Sequence, residues 1–204
     1  MDISFLIKGF IIGLSIAAPV GPIGVLCIRR TLTNGRLSGL VSGLGAATAD
    51  GFYGMVAAFG LTIISRILVE QQFWIRLIGS LFLFYLGIKT FLSKPVEEAS
   101  PDKKKKLFSF YITTFFLTIT NPMTILSFAA IFAGFGLGSG TSDFSSGAIM
   151  VLGVFSGSVF WWIILSSGVS ILKSKFNTNS LKIVNRISGI IIVSFAVYAL
   201  AGIL

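Results

Sequence analysis

Six stretches of this chain, each long enough to cross a bilayer as a helix, carry almost no charge. They lie near 3–28, 39–64, 73–92, 108–137, 144–172 and 183–204, and a spanning helix needs about 20 mainly apolar residues. Inside lipid the backbone must satisfy its own hydrogen bonds, so only helices and closed barrels can cross. The apolar runs are continuous and lack the alternation of a barrel strand. An all-α integral membrane protein with six transmembrane helices is therefore expected. Composition agrees: hydrophobic residues make up 54% of the 204 and charged residues 11%, with a mean hydropathy of +0.95. That leaves too little polar side chain to solvate a soluble domain.

The net charge of +9 forms no single basic face, so no nucleic-acid partner is expected. The positions of the charges report topology instead. Arg29, Arg30 and Arg36 follow the first stretch; Lys89, Lys94 and Lys103 to Lys106 follow the third; Lys173, Lys175, Lys182 and Arg186 follow the fifth. Of the 16 basic residues, only Lys8, Arg66 and Arg76 fall on the other side. The positive-inside rule then puts loops one, three and five in the cytoplasm and both termini outside, in a multi-pass protein of the cell (inner or plasma) membrane. Ala17 and Ala18 end the first run as a signal peptide might, but its flank carries Asp2 and a single Lys8, so a retained first helix is expected. Cys27 is the only cysteine and there is no histidine. Disulfides, thiol pairs and histidine-rich metal sites are unavailable, no metal site or cofactor is expected, and Cys27 reads as a small apolar filler.

The two ends of the chain resemble each other in order. Phe10 meets Phe110 and Pro22 meets Pro122 at an offset of 100; Gly39 meets Gly147, Gly45 meets Gly153, Phe52 meets Phe160 and Gly60 meets Gly168 at 108; Arg76 meets Arg186 and Gly79 meets Gly189 at 110. A drifting offset is what short insertions in a duplicated unit produce. Each half holds three spans, an odd number, so the halves must be inverted relative to each other. The expected organisation is a first repeat over 1–92, a charged cytoplasmic linker over 93–106, and a second repeat over 107–204.

Both repeats open with a helix that proline interrupts, at Ala18 to Pro22 and at Thr120 to Pro122. Pro19 and Pro22 free the carbonyls of Ser15 and Ala18, and Pro122 frees that of Thr118. Lipid cannot meet those groups, so such breaks are expected to line a cavity; kinks used only for packing are the alternative. Gly21-Pro22 and Asn121-Pro122 also read as a cap followed by proline at the first helical position, restarting a helix whose positive end attracts a carboxylate. Pro19, Gly21, Pro22, Thr120, Asn121 and Pro122 are thus the candidate substrate-binding residues. Asp50 is the one acid deep inside a span, and burying it charged costs a few kcal/mol at least, roughly. It is expected to face the interior, where it can hold a proton or pair with an ammonium group; satisfaction by a hydroxyl such as that of Thr48 or Tyr53 is the alternative. Its counterpart in the other half is Ser158. Small residues along the second and fifth spans read as close helix packing.

These residues resemble the lysine and homoserine exporter (LysE/RhtB-type) translocators. The likeness runs through Ala18-Pro19-Val20-Gly21-Pro22, Gly35-Arg36-Leu37-Ser38-Gly39, Gly43-Leu44-Gly45-Ala46-Ala47-Thr48-Ala49-Asp50, Phe84-Tyr85-Leu86-Gly87-Ile88-Lys89 and Thr120-Asn121-Pro122. It implies a six-helix inner-membrane exporter of amino acids or their relatives, driven by the proton gradient without a cofactor. The family commonly has a contiguous Pro-Gly-Pro followed by Asn and an Asn-Pro-Lys; here Val20 is inserted, Ile23 takes the Asn position and Met123 replaces the Lys. The expected mechanism is alternating access, with the amino acid's carboxylate near the backbone donors after Gly21 and Asn121 and with Asp50 coupling movement to a proton. The competing readings are an exporter of a metal or other inorganic cation, for which Asp50 alone supplies too few ligands, and a non-transporting membrane scaffold, which leaves the paired breaks unexplained. No catalytic constellation appears, so no enzyme is expected. Assembly into homo-oligomers is left open.

Overall fold

Proline sets the first boundary in the fold. The computed structural model describes residues 3–58, 70–93, 103–121, 124, 127–128 and 144–201. Helix α1 (Ile3–Ala17) buries Gly9, Ile12, Gly13 and Ala17, a stripe at helical spacing, and stops where Pro19 disfavours helical backbone at Ala18. After a bend of 79°, Pro22 begins α2 (Pro22–Asn34), with Gly21 in extended geometry at its N-cap. Gly35 alone separates α2 from α3 (Arg36–Ala58). Its φ of 95° is a conformation that side chains with a Cβ resist, while its N–H closes the end of α2 on Thr31 O at 2.9 Å.

Then come α4 (Gln72–Leu92), α5 (Lys103–Ile119), α6 (Phe144–Leu172), a 3-10 turn over Lys173–Lys175, and α7 (Thr178–Ala201). Asn177 opens α7 as a cap: its Oδ1 accepts from the Ser180 N–H at 2.8 Å and the Ser180 hydroxyl at 2.9 Å. The tetralysine from Lys103 forms the first turn of α5. Pro122, Met123 and the linker residues from Pro95 to Asp102 lie outside the described residues.

Three described helices are long and apolar enough by themselves to cross a bilayer, over Phe73–Leu92, Phe144–Leu172 and Asn179–Ala201; α1 and α2 together form a fourth span if counted as one bent crossing. The sequence led us to expect six. Helices α3 and α5 fall short of that standard for physical reasons. Helix α3 packs between α5 and α6, so little of it needs to be apolar toward lipid, and it carries buried Ser38, Ser42 and Asp50. Helix α5 spends its first turn on lysine.

The packing follows a pattern that suggests an internal repeat. Helix α1 lies on α6 while α5, which the sequence alignment pairs with α1, lies on α3, and two further pairs, α3 with α6 and α4 with α7, join helices that the same alignment matches. Exchanging the matched helices maps these four pairs onto one another. The aligned glycines Gly45 and Gly153 do the same work in each half. A Cβ on Gly153 would fall 2.9 Å from Gly9 Cα and from Phe10 N on α1, and one on Gly45 would fall 3.1 Å from Phe115 N on α5. Small residues at these crossings bring the backbones together, the usual means by which helices associate where hydrophobic burial offers no drive.

Arg29 and Arg30 depart from the reading that made them loop charges. Both lie within α2, and Arg30 is 4% exposed. Its guanidinium donates to Ser42 Oγ, Phe110 O and Thr114 Oγ1, each at 2.9 Å, and lies 4.4 Å from the Phe110 ring. Arg29 donates to Asn185 Oδ1 at 2.8 Å and to the Ser93 hydroxyl. Together they tie α2 to α3, α4, α5 and α7 through neutral acceptors.

Candidate functional site

Both helix breaks face one cavity. Its volume is about 660 Å³, and Pro19, Gly21, Pro22, Thr120 and Asn121 all lie in its wall. Five of the six residues proposed from sequence as substrate-binding are therefore brought together; the sixth, Pro122, is outside the described residues. Each break is closed by a tight local bond. The Gly21 N–H donates to Pro19 O at 2.9 Å, and the Asn121 N–H donates to Thr118 O at 3.2 Å. Regular helix is interrupted at Gly21 and at Asn121, positions that stand 100 residues apart in the chain.

On the first side, Gly21, Pro22 and Ile23 present the N-terminal end of α2 to the cavity. Gly21 makes no side-chain cap, so the electropositive end of the helix is not covered by a capping side chain of its own. On the second side, Thr120 folds its hydroxyl back onto Phe116 O at 2.7 Å, while Thr124 and Ser127 continue the wall. Apolar side chains fill much of the rest, among them Ile16, Leu83, Leu117 and Phe195. A mainly apolar cavity with a few convergent polar groups is the usual make-up of a small-molecule site.

Asp50 is 3% exposed and is not among the residues that line this cavity. It faces the interior as expected, but its partner is neither Thr48 nor Tyr53. Ser158 donates to Asp50 Oδ2 at 2.7 Å and in turn accepts from Trp162 Nε1 at 3.2 Å. Thr48 instead donates to Leu44 O at 2.8 Å and accepts from Tyr111 at 3.0 Å. The Tyr53 hydroxyl donates to Ile119 O, the last helical residue before Thr120. Tyr53 also stacks on Phe128, with ring centroids 5.3 Å apart. The carboxyl is thus buried apart from the cavity lining, and one turn further along its own helix Tyr53 bonds the end of α5 next to the second break.

Sequence reasoning missed Arg76 and Ser80, which both line the cavity from α4. It read Arg76 as one of the few basic residues on the sparsely charged side and as the match of Arg186 in the repeat. A cation and a hydroxyl four residues apart inside an apolar run share one helix face, and that spacing was the available signal. Gly79, between them, lets α4 approach the second break: a Cβ there would fall 2.9 Å from Thr120.

A family model described as LysE type translocator matches residues 14–202. The chain is similar to a provisionally named amino acid efflux protein, YcgF, of Bacillus subtilis (strain 168): 26% identical over 193 residues, covering 92% of this chain and 91% of that protein. It is similar as well to the membrane protein YrhP of the same organism, 26% identical over 185 residues, with 85% of this chain and 87% of the relative covered. A third relative is the membrane protein YahN of Escherichia coli (strain K12), 24% identical over 173 residues, with coverages of 83% and 77%. No solved structure matches the chain.

Proposed function

The chain belongs to the family of LysE type translocators, and we propose that within this family of membrane transporters it is a secondary active exporter of amino acids or close derivatives, driven by the proton gradient through alternating access. A translocator moves solutes without converting them, so the protein is not an enzyme. The observation that carries the reading is the meeting of two proline breaks, Gly21-Pro22 and Thr120-Asn121, in the wall of one cavity. Interrupted helices leave backbone donors and acceptors unpaired at membrane depth, and a zwitterion supplies both complements.

In this reading the molecule has six spans in two inverted halves, with the basic loops cytoplasmic and both termini outside. The cavity lies among the N-terminal end of α4 and the C-terminal ends of α5 and α7, which is the outer half of the molecule in that orientation. Arg29 and Arg30 draw five helices together in the cytoplasmic half. The arrangement corresponds to a state closed toward the cytoplasm, and export requires a second state in which α2 releases those contacts. Asp50, at the crossing of α3 and α6, is the one buried carboxyl among the described residues. Protonation there changes the charge at the crossing of the two halves, which is where a proton can bias their relative movement.

The test is overexpression in cells fed a panel of dipeptides, with amino acids measured inside and in the medium. One or a few amino acids depleted inside and enriched outside are expected. No change for any, with membrane insertion verified, overturns the exporter reading.

A further inference from the structure

We infer that Tyr53 is the positioning residue that ties Asp50 to the cavity: it carries a movement of α3 to the second helix break, and so links protonation to the wall that meets the cargo. This rests on the exporter reading and on the coupling role given there to Asp50. The observation that points to it is a bond between two helices. The Tyr53 hydroxyl donates to Ile119 O, and Ile119 is the last residue of α5 before Thr120 and Asn121, which line the cavity. The final carbonyls of a helix have no partner within it, and Pro122 has no N–H with which to continue the ladder.

The surroundings of Tyr53 make it a stiff link. It is 2% exposed, and its ring stacks on Phe128 with centroids 5.3 Å apart. Ile12 of α1 and Met150 and Val154 of α6 belong to the same buried cluster. Close packing on these sides leaves the ring little room to absorb a shift of its own helix, so the hydroxyl moves when α3 moves. The segment it holds is confined from the other side as well: a Cβ on Gly79 of α4 would fall 2.9 Å from Thr120 O. Thr120 is thus set between α4 and the carbonyl that Tyr53 grips, and a small displacement there alters the cavity wall.

Asp50 precedes Tyr53 by three residues, so both side chains leave α3 on one face. Its carboxyl accepts from Ser158 of α6. A hydrogen bond to an ionised acceptor is about twice as strong as a neutral one, so a proton on Asp50 loosens the tie between α3 and α6 while Tyr53 stays bonded to α5. Other ionisable groups on the packed helices are engaged or placed elsewhere. Among the described residues, α6 carries none from Phe144 to Leu172, and α1 has only Lys8, exposed over the Phe5 ring. On α2, Arg29 and Arg30 donate to Asn185, Ser42 and Thr114, and Cys27 donates to Gly39 O. On α5, Tyr111 bonds Thr48 and the four lysines occupy the end opposite Ile119; on α3 itself, Arg36 is the first residue.

A single thiol at the break tests this without any cargo. In vesicles reconstituted with the full chain carrying Cys27→Ser and Thr120→Cys, the rate of modification by a small thiosulfonate reagent is followed across a pH series. Asp50→Asn in the same background removes the proton site but leaves the thiol's own ionisation, so the difference between the two profiles is the part that Asp50 contributes. That part should change the rate at least threefold. Tyr53→Phe keeps the ring and removes only the hydroxyl; it should fold, and it should abolish the part due to Asp50. A hydroxyl that merely stabilised the end of α5 would shift labelling alike at every pH and leave the shape of the profile unchanged. Survival of the Asp50 part in folded Tyr53→Phe would overturn the inference. So would its absence with Tyr53 in place, a result that does not depend on how the phenylalanine variant folds. Either outcome leaves the exporter reading standing, because the dipeptide experiment decides that separately.

Discussion

Ser158 donates a 2.7 Å hydrogen bond to Asp50, and the sequence alignment that suggests a repeat pairs these same two residues, 108 positions apart. The register that aligns Gly45 with Gly153 also aligns this pair. Contact between equivalent positions is what a two-fold relation at the crossing of α3 and α6 produces, because only there can a residue meet its own counterpart. In the proposed pair of repeats the two matched positions differ by one functional group: a carboxyl faces a hydroxyl, so one proton can be held where strict symmetry would put two acids or none.

Asp50→Asn keeps the shape and an oxygen that accepts from Ser158, but it cannot exchange a proton. In vesicles with an imposed pH gradient this variant is expected to lose at least nine-tenths of gradient-driven flux, roughly the cost of one lost tenfold coupling, or about 1.4 kcal/mol. Counterflow without a gradient, together with insertion, should stay close to wild type. Gradient-driven flux at the normal rate would remove Asp50 from the coupling role. Ser158→Ala acts differently: it strips a donor from Asp50 and an acceptor from Trp162. Each buried group left unsatisfied costs about 1–3 kcal/mol, so its melting temperature in detergent should fall, whereas Ser158→Thr should retain part of the stability.

The crossing glycines give a stability prediction. Gly153→Val puts branched carbon against the backbone of Gly9 and Phe10, and Gly45→Val does the same to Tyr111 and Phe115. Overpacking of this kind costs about 1–3 kcal/mol. Both variants should show reduced folded yield in detergent, while valine at Gly168, where a Cβ meets nothing within 4 Å, should fold normally. Equal yields for all three would show that the close crossings do not hold the halves together.

The sequence made some of this visible and hid the rest for identifiable reasons. The fifth apolar stretch was placed at 144–172 and α6 spans the same residues; a long unbroken run without polar interruption leaves little choice. The proline breaks were readable because proline acts through the local backbone, which does not need tertiary structure to be felt. Arg29 and Arg30 were misread because a count of basic residues near a span end cannot see that α2 continues to Asn34. Their acceptors, Ser42, Thr114, Asn185 and Ser93, come from four other segments of the chain and are individually unremarkable in sequence. Asp50 was recognised as interior, yet its partner was sought among near neighbours, when the bond spans the two halves.

Pro22 supports a prediction at the first break. Alanine there restores a backbone N–H and removes the fixed φ that pre-organises the start of α2, so a helix continuing from α1 into α2 competes with the 79° bend. Pro22→Ala should insert and melt within about 1 kcal/mol of wild type, a change typical of a tolerated proline replacement, and yet lower export at least fivefold in the dipeptide assay. A drop in export no larger than the drop in folded protein would mean that the bend serves packing alone.

The last prediction concerns the proposed closure of the half that the charge pattern assigns to the cytoplasm, and Cys27 makes it measurable. It is the only cysteine in the chain, it is 1% exposed, and its thiol donates to Gly39 O at 3.2 Å. It lies on α2 within one turn of both arginines, so any movement that opens this end of α2 also uncovers the thiol. Among the described residues, the partners of Arg29 and Arg30 are neutral oxygens, which bind a guanidinium less strongly than a carboxylate does. Contacts of that strength can be released within a transport cycle. Replacing both arginines with alanine should therefore shift the population toward the open state, and a shift of about 1.4 kcal/mol multiplies the open fraction tenfold while it is small. Labelling of Cys27 by a maleimide applied from the cytoplasmic side should speed up several-fold in Arg29→Ala and further in the double variant. Melting curves taken alongside separate opening from unfolding, since an unfolded fraction would label at the same rate from either side. Unchanged labelling in a folded double variant, or faster labelling only from the outer side, would place the closing contacts elsewhere.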